Sequence, residues 1–199
     1  MISKTITAKS TETISKAIIE ATADGFSPTL AIVFISINQD LKAITDALDE
    51  RDIAVFGATT SGEFIDGNIK EGSITIMLLD MNPEHFKLSF SKTGKLSTFE
   101  NAKRLGKFGK NSYSDCAFLI VSGWLSQDGE AIIEGITEGY GEDVTIFGGM
   151  AGDDLKLEGP QVFTNKQISD QGLLAIIIDK NKVEINGIAS CGWSAIGTT

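Results

Sequence analysis

Two stretches of the chain share one design, and this pairing constrains the fold more than any other feature. In the first, an apolar run at 53–56 leads into Gly-Ala-Thr-Thr-Ser-Gly-Glu at 57–63. In the second, an apolar run at 144–147 leads into Gly-Gly-Met-Ala-Gly-Asp-Asp at 148–154. Val, Ile and Phe favour a buried strand, and the abrupt change to glycine and hydroxyl residues predicts that the strand ends there. We therefore expect two equivalent strands, each followed by a glycine loop with acidic side chains.

The elements predicted around these loops occur in the same order in both halves of the chain. An alternating strand is followed by a helical stretch, a continuous apolar run, a second helical stretch, the glycine stretch and a last apolar run. The matching apolar runs lie at 2–8, 30–35 and 73–79 in the first copy and at 85–90, 117–121 and 173–178 in the second. The sequence predicts an α/β fold with duplicated β-α-β-α-β-β units, about 1–82 and 83–199. Their mixed sheets should pack together in one compact domain.

Composition narrows the class of partner. The 199 residues are 42% hydrophobic, enough for an ample core, and the formal net charge of −10 disfavours nucleic acid, which needs clustered Lys and Arg. No apolar run approaches the ~18 residues that span a bilayer, and a signal-peptide core is missing. Cys116 and Cys191 each lie in an apolar run without metal-ligand or redox spacing. We therefore expect a cytoplasmic protein with no membrane contact and no cofactor.

Catalytic motifs fit the first loop poorly. Its glycine spacing is that of a phosphate-binding P-loop, but Glu63 stands where a lysine should neutralise phosphate and Phe64 where a hydroxyl should bind magnesium. Ser61 lacks the outer glycines of a nucleophile elbow. The only histidine, His85, is expected at the opposite ends of the strands, so a Ser/His triad has no base. Metal binding would depend on loop carboxylates, which more often serve as caps or turns. These mismatches favour a protein that is not an enzyme.

The two loops would combine hydrogen-bond donors with negative charge. Ligands usually bind outside the carboxyl ends of strands in an α/β sheet. There, amides and hydroxyls can hold a carboxylate while an acid holds an ammonium. We expect both loops on one rim of the domain, binding an amino acid or a similar small polar metabolite. The predicted ligand-binding residues are Thr59, Thr60, Ser61, Gly62, Glu63, Gly149, Asp153, Asp154 and Trp124, the last as a wall of the pocket.

Three alternatives to this binding site stay open. In the first alternative, the loop residues only close turns and satisfy their own backbone, as Gly-Thr-Ser loops do in many folds. The chain could also be an enzyme that acts on a small polar metabolite through the loop hydroxyls and carboxylates. A protein-interaction module is the third alternative, and it would show an exposed apolar patch rather than a pocket.

Several segments resemble the FIST N-terminal domain family. Residues 56–63 are similar to its V-x-G-C-S-T-A-G-E signature, and residues 147–154 to its F-G-G-x-A-G-D-[DN] motif. Residues 162–163, 169–172 and 192–197 resemble later motifs of the family in the same order. The resemblance extends from about residue 30 to 197.

Two departures from the family pattern accompany this resemblance. Ala58 replaces the usual cysteine, and Gln171 separates an Asp and a Gly that are usually adjacent. The resemblance implies an intracellular sensory input domain of signal transduction that binds small ligands such as amino acids. It also implies a downstream partner, either a FIST C-terminal domain or an output module. The strand-like stretch 183–191 and Trp193 would then be covered by that partner or by a second copy in a homodimer.

Overall fold

The computed structural model describes residues 1–65, 67–92, 94, 96–123, 128–141, 143–157 and 159–188. The helices of this described part are α1 (Thr11–Thr22), α2 (Leu41–Asp49), α3 (Thr98–Ser112) and α4 (Gly129–Tyr140). Its strands are β1 (Ile2–Ala8), β2 (Leu30–Ser36), β3 (Ala54–Thr60), β4 (Glu63–Ile65), β5 (Asn68–Lys70), β6 (Ile74–Asp80), β7 (Phe86–Lys92), β8 (Cys116–Ser122), β9 (Thr145–Met150), β10 (Val162–Phe163), β11 (Ile168–Ser169) and β12 (Gly172–Asp179).

Two mixed sheets carry the fold. The first has the strand order β1-β6-β2-β3-β10-β11 and the second has the order β7-β12-β8-β9, while β4 and β5 form a separate hairpin. In the first sheet β2 and β3 are parallel and β6 is antiparallel to both its neighbours. In the second, β8 and β9 are parallel and β12 is antiparallel to both its neighbours. This confirms one compact α/β domain with mixed sheets. Duplication of the sequence itself stays a prediction.

Alternation along the strands separates three hydrophobic cores, because successive side chains point to opposite faces of a sheet. In β2, Ala31 packs with α1 and α2, whereas Leu30 packs toward the second sheet. In β12, Leu174 belongs to this same core between the sheets, whereas Ala175 packs with α3 and α4. The domain is therefore built in four layers: helices, sheet, sheet and helices.

Each helix begins at a side chain that caps it. Ser10, Asp40, Ser97 and Asp128 accept hydrogen bonds from backbone N–H groups of the first turn, which otherwise have no partner in the helix. Within the described residues, no helix is both long enough and apolar enough to cross a lipid bilayer.

The glycine stretches begin inside strands rather than after them, so the predicted strand end at Phe56 is wrong. β3 continues to Thr60 and β9 to Met150. β3 is an interior strand, paired with β2 on one side and with β10 on the other. A Cβ on Gly57 would lie 2.1 Å from the fully buried ring of Phe163 in β10. This glycine therefore makes room for a neighbouring ring and does not turn the chain.

The strand predicted over 183–191 is absent from its described part, which ends at residue 188. Val183 and Ile185 pack against the core between the two sheets. Side-chain packing, rather than a ladder of backbone hydrogen bonds, places this segment. The predictions for Cys191 and Trp193 lie outside the described residues.

Candidate functional site

The loops that follow β3 and β9 contact each other directly, although these strands belong to different sheets. The backbone N–H of Gly152 donates to the carbonyl oxygen of Thr59 at 2.8 Å, and the backbone N–H of Asp154 donates to Oγ of Ser61 at 3.2 Å. A Cβ on Gly152 would lie 2.5 Å from that Oγ, so a glycine is needed for this close approach. The two loops therefore share one rim of the domain, as the sequence predicts.

The junction of the loops opens into a polar pocket of about 310 Å³, lined by Asn38, Ser61, Glu71, Gly72, Asp154 and Leu155. Oδ2 of Asp154 accepts hydrogen bonds from Oγ of Ser36 at 2.5 Å and from Nδ2 of Asn38 at 3.1 Å. Its Oδ1 accepts none from the residues that the structure describes. This oxygen therefore keeps hydrogen-bonding capacity for a ligand.

A lysine places positive charge beside the same pocket. Nζ of Lys156 donates to Oδ1 of Asn38, and Nδ2 of Asn38 donates to Asp154. The carboxylates of Glu71 and Asp154 and the hydroxyl of Ser61 complete the polar groups. Carboxylates can hold an ammonium, and a lysine and a hydroxyl can hold a carboxylate. The pocket thus has the groups that recognise a zwitterion.

The backbone of the second loop is strained at this pocket. Asp154, Leu155 and Leu157 have φ angles of 56°, 60° and 58°. The left-handed conformation costs about 1–3 kcal/mol for each such residue, and aspartate tolerates it better than leucine because its side chain bonds locally. Strain of this kind persists where the surroundings over-determine it and is concentrated at ligand sites. The strained backbone therefore supports a role of this loop in ligand binding.

The first loop presents other side chains to its opposite side. Thr60, Gly62 and Glu63 line a cleft of about 480 Å³ on the face of the first sheet that meets the second sheet. The other lining residues are Thr5, Ile32, Phe34, Phe64, Thr75, Met77 and Leu119. Ser61, between Thr60 and Gly62, lines the polar pocket instead. The first loop thus separates a polar pocket from a mostly apolar cleft.

Glu63 is a buried carboxylate, 2% exposed, that is held by neutral donors. Oγ1 of Thr60 donates to Oε1 at 2.6 Å, and the backbone N–H and Oγ of Ser73 donate to Oε2 at 3.0 and 2.8 Å. Lys70 lies opposite Glu63 in the β4–β5 hairpin, but the ion pairs within the described chain include neither residue. The negative charge of Glu63 is therefore solvated by hydrogen bonds and not matched by a described cation.

Other predicted site residues lie apart from these two cavities. Thr59 is buried and accepts a hydrogen bond at 2.8 Å from the backbone N–H of Gln161. Asp153 is buried and accepts one at 3.3 Å from the backbone N–H of Gly159. These bonds fit residues that satisfy nearby backbone. Gly149 lines a separate cavity of about 210 Å³ beside α4. Trp124 lies outside the described residues.

Three polar residues around the pocket were missed by the sequence analysis: Asn38, Glu71 and Lys156. Of these three, only Asn38 could have been predicted from the sequence, because it follows β2. Since β2 and β3 are parallel neighbours, their carboxyl ends meet at one edge of the sheet. Glu71 and Lys156 reach the pocket from a turn and a loop, where no periodic pattern marks them.

The described residues offer little support for catalysis. His85 directly precedes β7, whose first residue pairs with Ile178 at the end of β12 that lies farthest from the loops. Burial raises the pKa of the Cys116 thiol to about 11, which disfavours the nucleophilic thiolate. No cluster of three or more His, Cys, Asp or Glu side chains in the described part of the chain is arranged to hold a metal ion.

A sequence-family profile for the FIST N domain matches residues 29–199. The chain belongs to the FIST N domain family. This confirms the resemblance, and FIST N domains form a sensory domain family of signal transduction. No curated protein matches the chain in sequence.

The lining residues of the two cavities include neither departure of this FIST N domain from the family pattern. Ala58 is buried in the core between the sheets. Gln171 lies in the exposed turn between β11 and β12, where its backbone N–H donates to Oγ of Ser169 at 3.1 Å. Ala58 nevertheless pairs with Phe34, which lines the cleft.

Proposed function

We propose that this FIST N domain is a non-enzymatic input domain that binds an amino acid or a similar small polar metabolite inside the cell. The polar pocket between the two loops is its site. One observation carries the proposal: the loop after β3 and the loop after β9 meet at this pocket. A ligand there contacts loops that follow strands of both sheets. Its binding energy therefore acts on the junction between them, which is what a population-shifting sensor requires.

The chemistry of the lining defines a binding mode. The ammonium group of the ligand donates to Oδ1 of Asp154 and to the carboxylate of Glu71. Its carboxylate accepts hydrogen bonds from Lys156 and from the hydroxyl of Ser61. Each charged hydrogen bond contributes about 1.5–3 kcal/mol. The pocket volume of about 310 Å³ lies at the small end of ligand sites, which suits a metabolite of amino-acid size.

A thermal-shift screen of amino acids and small organic acids, followed by calorimetry on the hits, tests this function. A ligand at ~100 times its Kd adds ~2.7 kcal/mol of stability. Asp154→Asn should weaken an amino-acid hit about 10- to 150-fold, the equivalent of one charged hydrogen bond.

Asp46→Asn is the control, because Asp46 forms an exposed ion pair with Lys42 on α2. It should bind as the wild type does. If no compound stabilises the protein, or if the Asp154 variant binds normally while folded by circular dichroism, the proposed site is wrong.

An exposed apolar pair supports a second candidate, a protein-interaction face for a downstream signalling domain or a second copy. Phe64 and Ile69 lie opposite each other in the β4–β5 hairpin and are 72% and 77% exposed. Apolar side chains of this kind commonly mark contact surfaces. In sedimentation velocity, Ile69→Ser should reduce self-association of the chain. Identical concentration dependence of the wild type and the variant would argue against a homodimer through this hairpin.

A further inference from the structure

We infer that the cleft beside Glu63 is a second binding site, for a small organic cation with an apolar body, of the arylalkylamine class. The cleft and the polar pocket lie on opposite sides of the first loop. Binding in the cleft can therefore be tested independently of amino-acid binding in the polar pocket.

The walls of the cleft suit an apolar body. Its volume of about 480 Å³ is within the range of small-molecule sites. Phe34 and Met77 are each 39% exposed, although they lie on the sheet face that is otherwise buried against the second sheet. Leu119 of the second sheet and Phe64 of the hairpin also line the cleft. A ring or short alkyl chain placed there would bury apolar surface that the fold leaves open.

The polar end of the cleft selects a cation. A carboxylate can accept about four hydrogen bonds, and Glu63 accepts three from Thr60 and Ser73. Among the residues that the structure describes, Oε1 accepts a hydrogen bond only from Thr60, so the remaining capacity is on this oxygen. An ammonium at this oxygen would supply the fourth hydrogen bond and neutralise a buried charge that is costly without a counter-ion. The net charge of −10 also raises the local concentration of cations.

Anions and zwitterions fit this cleft poorly. None of its lining residues is Lys, Arg or His, so a ligand carboxylate would lie near Glu63 without a positive partner. Phe34 and Phe64 also line the cleft, and the face of an aromatic ring attracts an ammonium within about 6 Å. These features separate the ligand of the cleft from the zwitterion that suits the polar pocket.

Three matched probes test the assignment by isothermal titration calorimetry: 2-phenylethylamine, 2-phenylethanol and 3-phenylpropanoate. The amine should bind. The alcohol should bind at least ~10-fold more weakly, because it lacks one charged hydrogen bond. The acid should give no binding signal. Failure of the amine to bind at millimolar concentration would overturn the inference. Equal affinities for amine and alcohol would overturn it as well.

Variants locate the binding. Glu63→Gln should reduce the affinity for the amine to that for the alcohol. Because Glu63 is buried and its replacement can prevent folding, Met77→Lys is the second variant, since it adds a competing cation at an exposed wall and leaves Glu63 in place. Met77→Leu, which conserves volume, is its control. Loss of amine binding in Met77→Lys but not in Met77→Leu is expected, and equal binding by these two variants contradicts the inference.

Discussion

Replacing Gly57 by alanine should destabilise the domain, because the new methyl group would collide with Phe163. The added Cβ would lie 2.1, 2.3 and 2.6 Å from three atoms of the ring. Phe163 is fully buried, so the ring has no solvent to move into. Overpacking of this kind costs about 1–3 kcal/mol. We therefore expect the free energy of unfolding to fall by about that amount, and the Tm to fall by several degrees.

Urea denaturation followed by circular dichroism measures this loss. Gly149→Ala is the matched control, since Gly149 is also a strand glycine but has no atom within 4 Å of an added Cβ. Its free energy of unfolding should change by no more than ~0.5 kcal/mol. If Gly57→Ala destabilises the protein no more than this control does, the steric explanation of the first glycine is wrong.

A double-mutant cycle isolates the contact itself. Phe163→Ala alone should cost about 3–5 kcal/mol, because it leaves a cavity in a close-packed core. In that background the methyl of Gly57→Ala enters vacated space, so the second substitution should add little. The coupling free energy should then be about 1–3 kcal/mol. Strict additivity of the two substitutions would refute the reasoning.

Two further predictions concern buried polar groups. Ser73→Ala removes one of three hydrogen bonds to the buried carboxylate of Glu63. This should lower the free energy of unfolding by about 1.5–3 kcal/mol. A urea midpoint equal to that of the wild type would contradict this prediction. Burial raises the pKa of Cys116 to about 11, so at pH 8 the thiol stays protonated and should react with iodoacetamide far more slowly than in urea. Mass spectrometry of a Cys191→Ser variant measures this rate, and equal rates in folded and unfolded protein would show that the thiol is accessible.

Hydrophobic periodicity in the sequence was sufficient to predict the order of α1 to α4 and of the longer strands. It did not mark the short strands β4, β5, β10 and β11, and it predicted a strand over 183–191 that the described part of this segment lacks. The alternation of β1 and the i, i+3, i+4 spacing in α1 are local patterns, and the structure contains both elements. Gly57 was misread because glycine after an apolar run is also the mark of a strand end. Its actual requirement comes from Phe163, far away in the sequence, and no local pattern shows it.

The candidate site could be predicted only in part, because local sequence patterns identify the loops but not the packing around them. Ser61 and Asp154 stood out because they belong to the paired glycine stretches, and the structure places them together. The side on which each loop residue lies could not be predicted, since it depends on how the two sheets pack. This is why Thr60 and Glu63 line one cavity and Ser61 another.

The pairing of β3 with β10 has a consequence for the newly made chain. Ala58 pairs with Val162, and at translation rates of 5–20 residues per second the ribosome needs roughly 5–20 s to synthesise the stretch between them. During that interval one edge of β3 has no neighbour within its own chain, and open strand edges pair readily with other chains. The strand that leads into the rim with the two loops is therefore the interior strand of the first sheet whose edge stays unpaired longest during biosynthesis.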